Sequence, residues 1–243
     1  MAKVFIGVGH GGSDPGAAGN GFQEKDLNLS IALECRNYLT RHGVEVKISR
    51  ETDLTSSLTE RIQQCNAASP DLALDIHNNA GGGDGAEVYH HFGGGKGKTL
   101  AENILAEIVN IGQNSRGAKI KKNSAGKDYF GFIRQTAAPA VIVECAFVDN
   151  AADVQIIATP QGQKAMGEAV ARGVLRTLGI SPREPGDVSW DGKVDAQDAL
   201  LALQDSVELI QLNEDERKAA DLNGDGKVDA SDALQILQKS VGR

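Results

Sequence analysis

The 243-residue sequence is poor in cysteine, aromatic residues and long apolar runs, and each shortage closes off a class of protein. Its three cysteines, Cys35, Cys65 and Cys145, are too few and too scattered for a disulfide framework or a cysteine-rich zinc cluster. Cys35 follows Leu27 and Ile31 at helical spacing, and Cys65 follows Leu58 and Ile62 in the same way, so buried thiols are expected. No run of 18 apolar residues occurs, so no membrane span is expected. No secretory leader is visible, because Met1-Ala2-Lys3 runs straight into the strand-like VFIGVG; a trimmed leader or another route of export is the expectation. A basic excess is also missing. The net charge is −8, with −7 of it in residues 181–243 and −1 in residues 1–180. A nearly neutral body with an acidic tail argues against nucleic acid as a partner.

Hydrophobic content of 40% is enough for a real core, and the 29 glycines cluster in runs such as GHGG and AGGGDG. Strand-like stretches at 3–9, 44–50, 72–79, 85–92, 130–136 and 140–148 alternate with helical patterns at 24–42, 57–69, about 99–111 and about 161–178. That alternation predicts a layered α/β domain with a mostly parallel sheet flanked by helices. GISPREPG (179–186) reads as a linker. The expected division is a domain over 1–179, a linker over 180–185 and a small all-α module over 186–243.

The module holds one pattern twice. DVSWDGKVDAQDALLALQ from Asp187 and DLNGDGKVDASDALQILQ from Asp221 agree at 12 of 18 positions. Each carries oxygen donors at loop positions 1, 3, 5, 9 and 12 and glycine at position 6, the ladder of an EF-hand-type calcium loop. The first set is Asp187, Ser189, Asp191, the Lys193 carbonyl, Asp195 and Asp198, with Gly192 at the turn. The second is Asp221, Asn223, Asp225, the Lys227 carbonyl, Asp229 and Asp232, with Gly226. Two Ca²⁺ are expected. Each loop leads into a helix with an apolar stripe, Leu200, Leu203 and Val207 or Leu234, Leu237 and Val241, part of which is expected to pack the two copies together.

In the first domain, polar groups fall at element ends. His10 ends the first strand, His77 ends LALDIH, Glu24 opens the first long helix and Glu144 interrupts AVIVECAFV. Strand ends and following helix starts share one rim in a parallel sheet. Two imidazoles and one carboxylate there suit a tetrahedral zinc with an open position. Hydrogen-bonded strand-end histidines and a helix-dipole acid account for the same three residues equally well. Glu144 is harder to place without a function, since an ionised carboxylate among Val141, Ile142, Val143, Ala146 and Phe147 is costly unless paired. Cys145 as a nucleophile lacks a specified histidine base. His42, His90 and His91 read as packed or solvated.

The stretch VGHGGSDPGAAGNGFQEKDLNLSIAL resembles the opening of the zinc-dependent N-acetylmuramoyl-L-alanine amidases. SRETDLTSSLTERIQQCN, LALDIHNNA, GAEVYHH and RQTAAPAVIVECAFVDN follow in that family's order, over about residues 3–178. The resemblance implies one zinc held by His10, Glu24 and His77, Glu144 as the catalytic carboxylate, and peptidoglycan as substrate. Two positions depart from the family pattern. Asp75-Ile76-His77 stands where Ser-Ile-His is usual, and Cys145 stands where a small residue usually follows the glutamate.

The loop–helix–connector–loop–helix order of residues 186–243 resembles a dockerin, which implies docking to a cohesin on a scaffold or cell surface. In that family partner choice lies at positions 10 and 11, here Ala196-Gln197 and Ala230-Ser231. Together the resemblances imply an extracellular or cell-wall peptidoglycan hydrolase, with autolysin and phage lysin both open as its role. A phage-type endolysin with the same chemistry and a non-catalytic peptidoglycan-binding protein are the alternatives.

Overall fold

The computed structural model describes residues 1–180, 184–189, 191 and 193–242. Gly192 and residues 181–183 of the expected linker over 180–185 lie outside the described residues. The chain divides into two compact units, Met1–Gly179 and Ile180–Arg243.

The first unit is built on a six-stranded sheet. Its strands are β1 (Lys3–Val8), β4 (Glu45–Ile48), β5 (Leu72–Asn79), β6 (Ala86–His90), β7 (Ser115–Lys119) and β8 (Ala140–Phe147), in the order β4-β1-β5-β8-β6-β7. All pairings are parallel except that of β6 with β8. A two-stranded hairpin, β2 (Ala18–Gly19) and β3 (Phe22–Gln23), leads into helix α1 (Glu24–Arg41). The other helices are α2 (Leu58–Ala68), α3 (Lys96–Asn110), α4 (Gly131–Gln135), α5 (Ala151–Ile157) and α6 (Pro160–Leu178). This is a layered, mostly parallel α/β fold, with α1, α3 and α6 packed together.

Local chemistry sets the helix ends. Ser57 and Glu60 form a reciprocal capping box that starts α2, satisfying amides that have no partner within the helix. Thr159 caps α6, Pro160 occupies its first turn, and Gly179 closes it in the left-handed conformation, as expected for such a stop. The alternation along β5 and β8 sorts side chains by face. Ala73, Ile142, Phe5, Phe132 and Ile62 form one apolar cluster, and Asp75, His77 and Glu144 lie on the same side as Ala73 and Ile142.

Residues 130–136 are not a strand. Gly131–Gln135 form the short helix α4, packed on β8 and α2. Both edges of β8 are already taken by β5 and β6, so the short apolar run FGFI has no strand to pair with there. Arg134 fastens the turn by donating to the carbonyls of Asp128 and Tyr129. The polar edge strand β7 and the helix α5 had no apolar periodicity to announce them.

In the second unit each loop runs into a helix, α7 (Ala196–Ser206) and α9 (Ala230–Ser240), with α8 (Glu214–Ala220) between them. The expected stripe does not join the copies. Leu200, Leu203, Val207, Leu234, Leu237 and Val241 are 42–65% exposed. The core is made instead by Val188, Ala199, Ala202, Leu212, Ala220, Val228, Ala233 and Ile236. Alanines on the facing sides let α7 and α9 approach closely, which turns the leucines outward.

Candidate active site

His10 follows the end of β1 and takes a left-handed backbone conformation, with φ of 60°. This is an uncommon state for a residue with a side chain, and such states concentrate at functional sites. His77 sits near the end of β5, and its register partner on β8 is Glu144. Glu24 is the first residue of α1. His10, Glu24 and His77 each offer a ligand atom, and these atoms all lie within 4.8 Å of one another. Gly9 is part of the geometry, because a Cβ there would run into the His77 imidazole.

Glu24 is the hub. Its Oε1 lies 2.9 Å from His77 Nδ1 and accepts from Asn28 Nδ2 and the Asn78 amide, each at 3.2 Å. Its Oε2 accepts from the Ala17 amide at 2.8 Å and lies 3.2 Å from His10 Nε2. Burial alone would raise the Glu24 pKa. The hydrogen bonds from His10 and His77 outweigh burial and hold the carboxyl well below the usual range. The outer nitrogen of each imidazole also meets a carboxylate. His10 Nδ1 lies 2.8 Å from Asp14 Oδ2, and His77 Nε2 lies 3.4 Å from Asp75 Oδ2. The hydrogen bond to Glu24 raises His10 above its ordinary value. For His77 burial works downward, but Asp75 and Glu24 reverse it and carry the group up to about 10. Two imidazoles that gather protons this strongly around a carboxylate form a site for positive charge, and a divalent ion competes for the same nitrogens.

Glu144 faces the same space with its Oε2 buried and without a hydrogen-bond partner. Burial pushes its pKa up to about 7, even though His77 draws it down. An unpaired carboxyl poised near neutrality beside a cation site is what proton transfer in catalysis requires. A cavity of about 210 Å³ opens here, with His77, Glu144, Asp75 and Arg61 as its polar lining and Leu58, Phe130 and Ile142 among its apolar walls.

The remaining histidines and thiols stand apart from this cluster. His42 stacks on Tyr38, His90 Nδ1 lies 2.8 Å from the His91 carbonyl, and His91 Nε2 lies 3.2 Å from Asp128. Cys35, Cys65 and Cys145 are free and buried. Burial drives the Cys145 thiol well above its ordinary pKa, which removes the thiolate a nucleophile needs. Asp14, Asn28, Asn78 and Arg61 are functional neighbours that sequence reasoning missed. The spacing of Asp14 and Asn28 from their partners, four residues in each case, was the only local signal.

The two loops of the second unit repeat one geometry. Asp198 Oδ1 accepts from the Ser189 amide and its Oδ2 from the Asp195 amide. Asp232 Oδ1 accepts from Leu222 and Asn223, and its Oδ2 from Asp229. Asp195 and Asp229 cap the helices that follow. Asp221 accepts from the amides of Gly224, Asp225 and Gly226, and Asp225 from that of Lys227. Asp191 accepts from Lys193. Asp187, Asp198 and Asp232 are fully buried, and Ser189 Oγ is buried without a hydrogen-bond partner. A fourth buried carboxylate, Asp205, is met by Arg217; the three in the loops suit cations. Ala196, Gln197, Ala230 and Ser231 are all exposed at the helix starts.

The fold and the cluster define a layered α/β domain with a two-histidine, one-carboxylate centre, followed by a duplicated acidic-loop module. Residues 4–176 match the N-acetylmuramoyl-L-alanine amidase family, and residues 185–239 match the type I dockerin domain. The chain belongs to the N-acetylmuramoyl-L-alanine amidase family and carries a C-terminal dockerin domain. It is 38% identical over 185 residues to the N-acetylmuramoyl-L-alanine amidase CwlM of Bacillus licheniformis, covering 74% of this chain and 70% of that protein. It is 33% identical over 196 residues to the endolysin of Bacillus phage SPP1, covering 76% of this chain and 70% of that one. Among solved structures it resembles Cwp6 from Clostridium difficile, with a TM-score of 0.72 and 39% identity over 73% of this chain and 29% of that chain. Members of the amidase family are generally zinc-dependent, and dockerins bind calcium. No helix among the described residues is long and apolar enough to cross a membrane.

Proposed function

We propose that this protein hydrolyses peptidoglycan at the amide joining the lactyl group of N-acetylmuramic acid to the L-alanine of the stem peptide. His10, Glu24 and His77 hold one zinc ion, Glu144 is the catalytic carboxylate, and the second unit binds two calcium ions and docks the enzyme to a cohesin. The catalytic domain is residues 1–179 and the module residues 186–243, with 180–185 as linker. The observation that carries this reading is the convergence of His10 Nε2, His77 Nδ1 and both Glu24 oxygens beside an unpartnered Glu144.

The donor set fits zinc, with two nitrogens and one carboxylate leaving a fourth position open. The ion supplies Lewis-acid polarisation of the scissile carbonyl and acidifies water towards a pKa of about 7. Glu24 keeps its charge through the hydrogen bonds it accepts from the Asn28 side chain and the Asn78 and Ala17 amides, and so stays a ligand near neutral pH. Glu144 takes a proton from the attacking water and delivers it to the leaving amine of L-alanine. The apolar wall of Leu58, Phe130 and Ile142 limits water beside that carboxyl, which keeps its pKa high enough to give the proton back.

A dockerin beside an enzyme of this family supports a location outside the cell or at the cell wall. The similarity to the SPP1 endolysin supports a second reading of its biology, in which the same cleavage serves lysis and the calcium module targets or regulates. The test is Glu144→Gln. Its expected outcome is unchanged zinc content with release of free L-alanine amino groups from purified muropeptides reduced roughly 10²–10⁴-fold. Near-normal release by the zinc-loaded variant would remove Glu144 from this role, and no release by the zinc-loaded parent protein would favour a site that only binds peptidoglycan.

A further inference from the structure

The imidazole of His77 is bracketed by two carboxylates. Glu24 Oε1 lies 2.9 Å from Nδ1, and Asp75 Oδ2 lies 3.4 Å from Nε2. His10 is bracketed in the opposite sense, with Glu24 against Nε2 and Asp14 against Nδ1. The two rings therefore present different nitrogens to the shared centre.

Asp75 is a costly residue to have where it is. It is 1% exposed, and its nearest cation is the Nε of Arg61, itself 6% exposed, at 3.3 Å. Both that Nε and Asp75 Oδ1 lack a hydrogen-bond partner. A buried ion pair with unfilled valences stabilises a fold little, and a well-packed apolar pair often does better. The backbone also makes room for it. A Cβ on Gly7, the register partner of Asp75 on β1, would overlap the Asp75 carboxylate. Charge, space and a buried arginine are thus all arranged around one carboxylate. Besides Arg61, it meets His77 Nε2.

We infer that Asp75 is a positioning residue for the metal ligand His77: it holds the Nε2 proton, fixes the tautomer and leaves Nδ1 bare for the ion, while Arg61 and Gly7 keep the carboxylate in place. This inference rests on the reading of His77 as a ligand. A carboxylate behind a ligating imidazole also raises its basicity, and losing such a partner typically costs roughly 10–100-fold in metal affinity.

The test measures zinc dissociation constants of the full chain by competition with a chelator. Asp75→Asn keeps the shape and leaves a weaker acceptor, and Asp75→Asn/Arg61→Met removes the arginine charge as well. Both variants are expected to bind zinc at least about 10-fold more weakly than the parent protein, with unchanged near-ultraviolet circular dichroism without metal. Nitrogen-15 spectra of the zinc-loaded parent should show His77 protonated on Nε2 and His10 on Nδ1. Unchanged zinc affinity in folded Asp75→Asn, or a His77 proton on Nδ1, overturns the inference. A parent protein that binds no zinc overturns the metal reading instead, so the two failures are told apart.

Discussion

The two units bury their carboxylates in different company. In Met1–Gly179, Glu24 is surrounded by two imidazoles, the Asn28 side chain and two backbone amides, and the sheet beneath it has a core of large side chains such as Phe5, Leu74 and Ile76. In Ile180–Arg243, Asp187, Asp198 and Asp232 are as deeply buried, yet the core under them is mostly alanine and valine. The first unit therefore has core enough to stand without an ion, and in the proposed function its zinc serves the reaction. The second has a small core, as expected of a module whose ions serve the structure. In the proposed function, acidic residues that look alike in composition do opposite work, and the core beneath them decides which.

The largest expected effect breaks the molecule along that line. Calcium chelation in the full chain should melt α7 and α9 while leaving the first unit folded. Amide exchange should rise throughout 187–240 and stay slow in β1, β5 and β8. Equal protection of both units after chelation would mean that the module's own core suffices.

A middle-sized effect comes from Glu144. Its carboxyl is pushed up from 4.5 to about 7 by burial. The metal-free folded protein therefore holds a proton that the unfolded chain releases between those values. Stability present below pH 4.5 is lost as the pH rises to about 7. Metal-free Glu144→Gln should then melt above the parent at pH 8 by roughly 2–4 °C for each kcal/mol recovered, with the gap closing near pH 4.5. A gap that does not change with pH would contradict the burial argument.

The smallest effect is expected where the sequence reading failed. Leu200→Gln with Leu234→Gln should leave the calcium-loaded melting temperature almost unchanged, as surface substitutions usually stay within about 0.5 kcal/mol. Ala202→Leu on the opposite face should disrupt the module. A large loss from the leucine pair would restore the packing role expected of the stripe.

These outcomes follow what was legible in the sequence. Strand ends and helix starts are local features, so His10, Glu24, His77 and Glu144 could be placed on one rim by topology alone, and the loop ladders could be read by spacing. The helix α4 could not, because four apolar residues suit either state and only the occupied edges of β8 decide between them. The stripe on α7 and α9 failed for a related reason: periodicity marks an apolar face but does not say which of two apolar faces is covered. Arg61 owes its place to neighbours brought close by folding, while Asp14 and Asn28 lie only four residues from His10 and Glu24, a spacing too common among polar residues to announce a site.

In the proposed function His10, Glu24 and His77 hold one catalytic ion beside Glu144. Anomalous scattering at the zinc edge from crystals of the zinc-loaded full chain tests it most directly. The expected result is a single zinc peak in the first unit, roughly 2.0–2.2 Å from His10 Nε2, a Glu24 oxygen and His77 Nδ1. No peak there, or zinc bound only by other side chains, would contradict it.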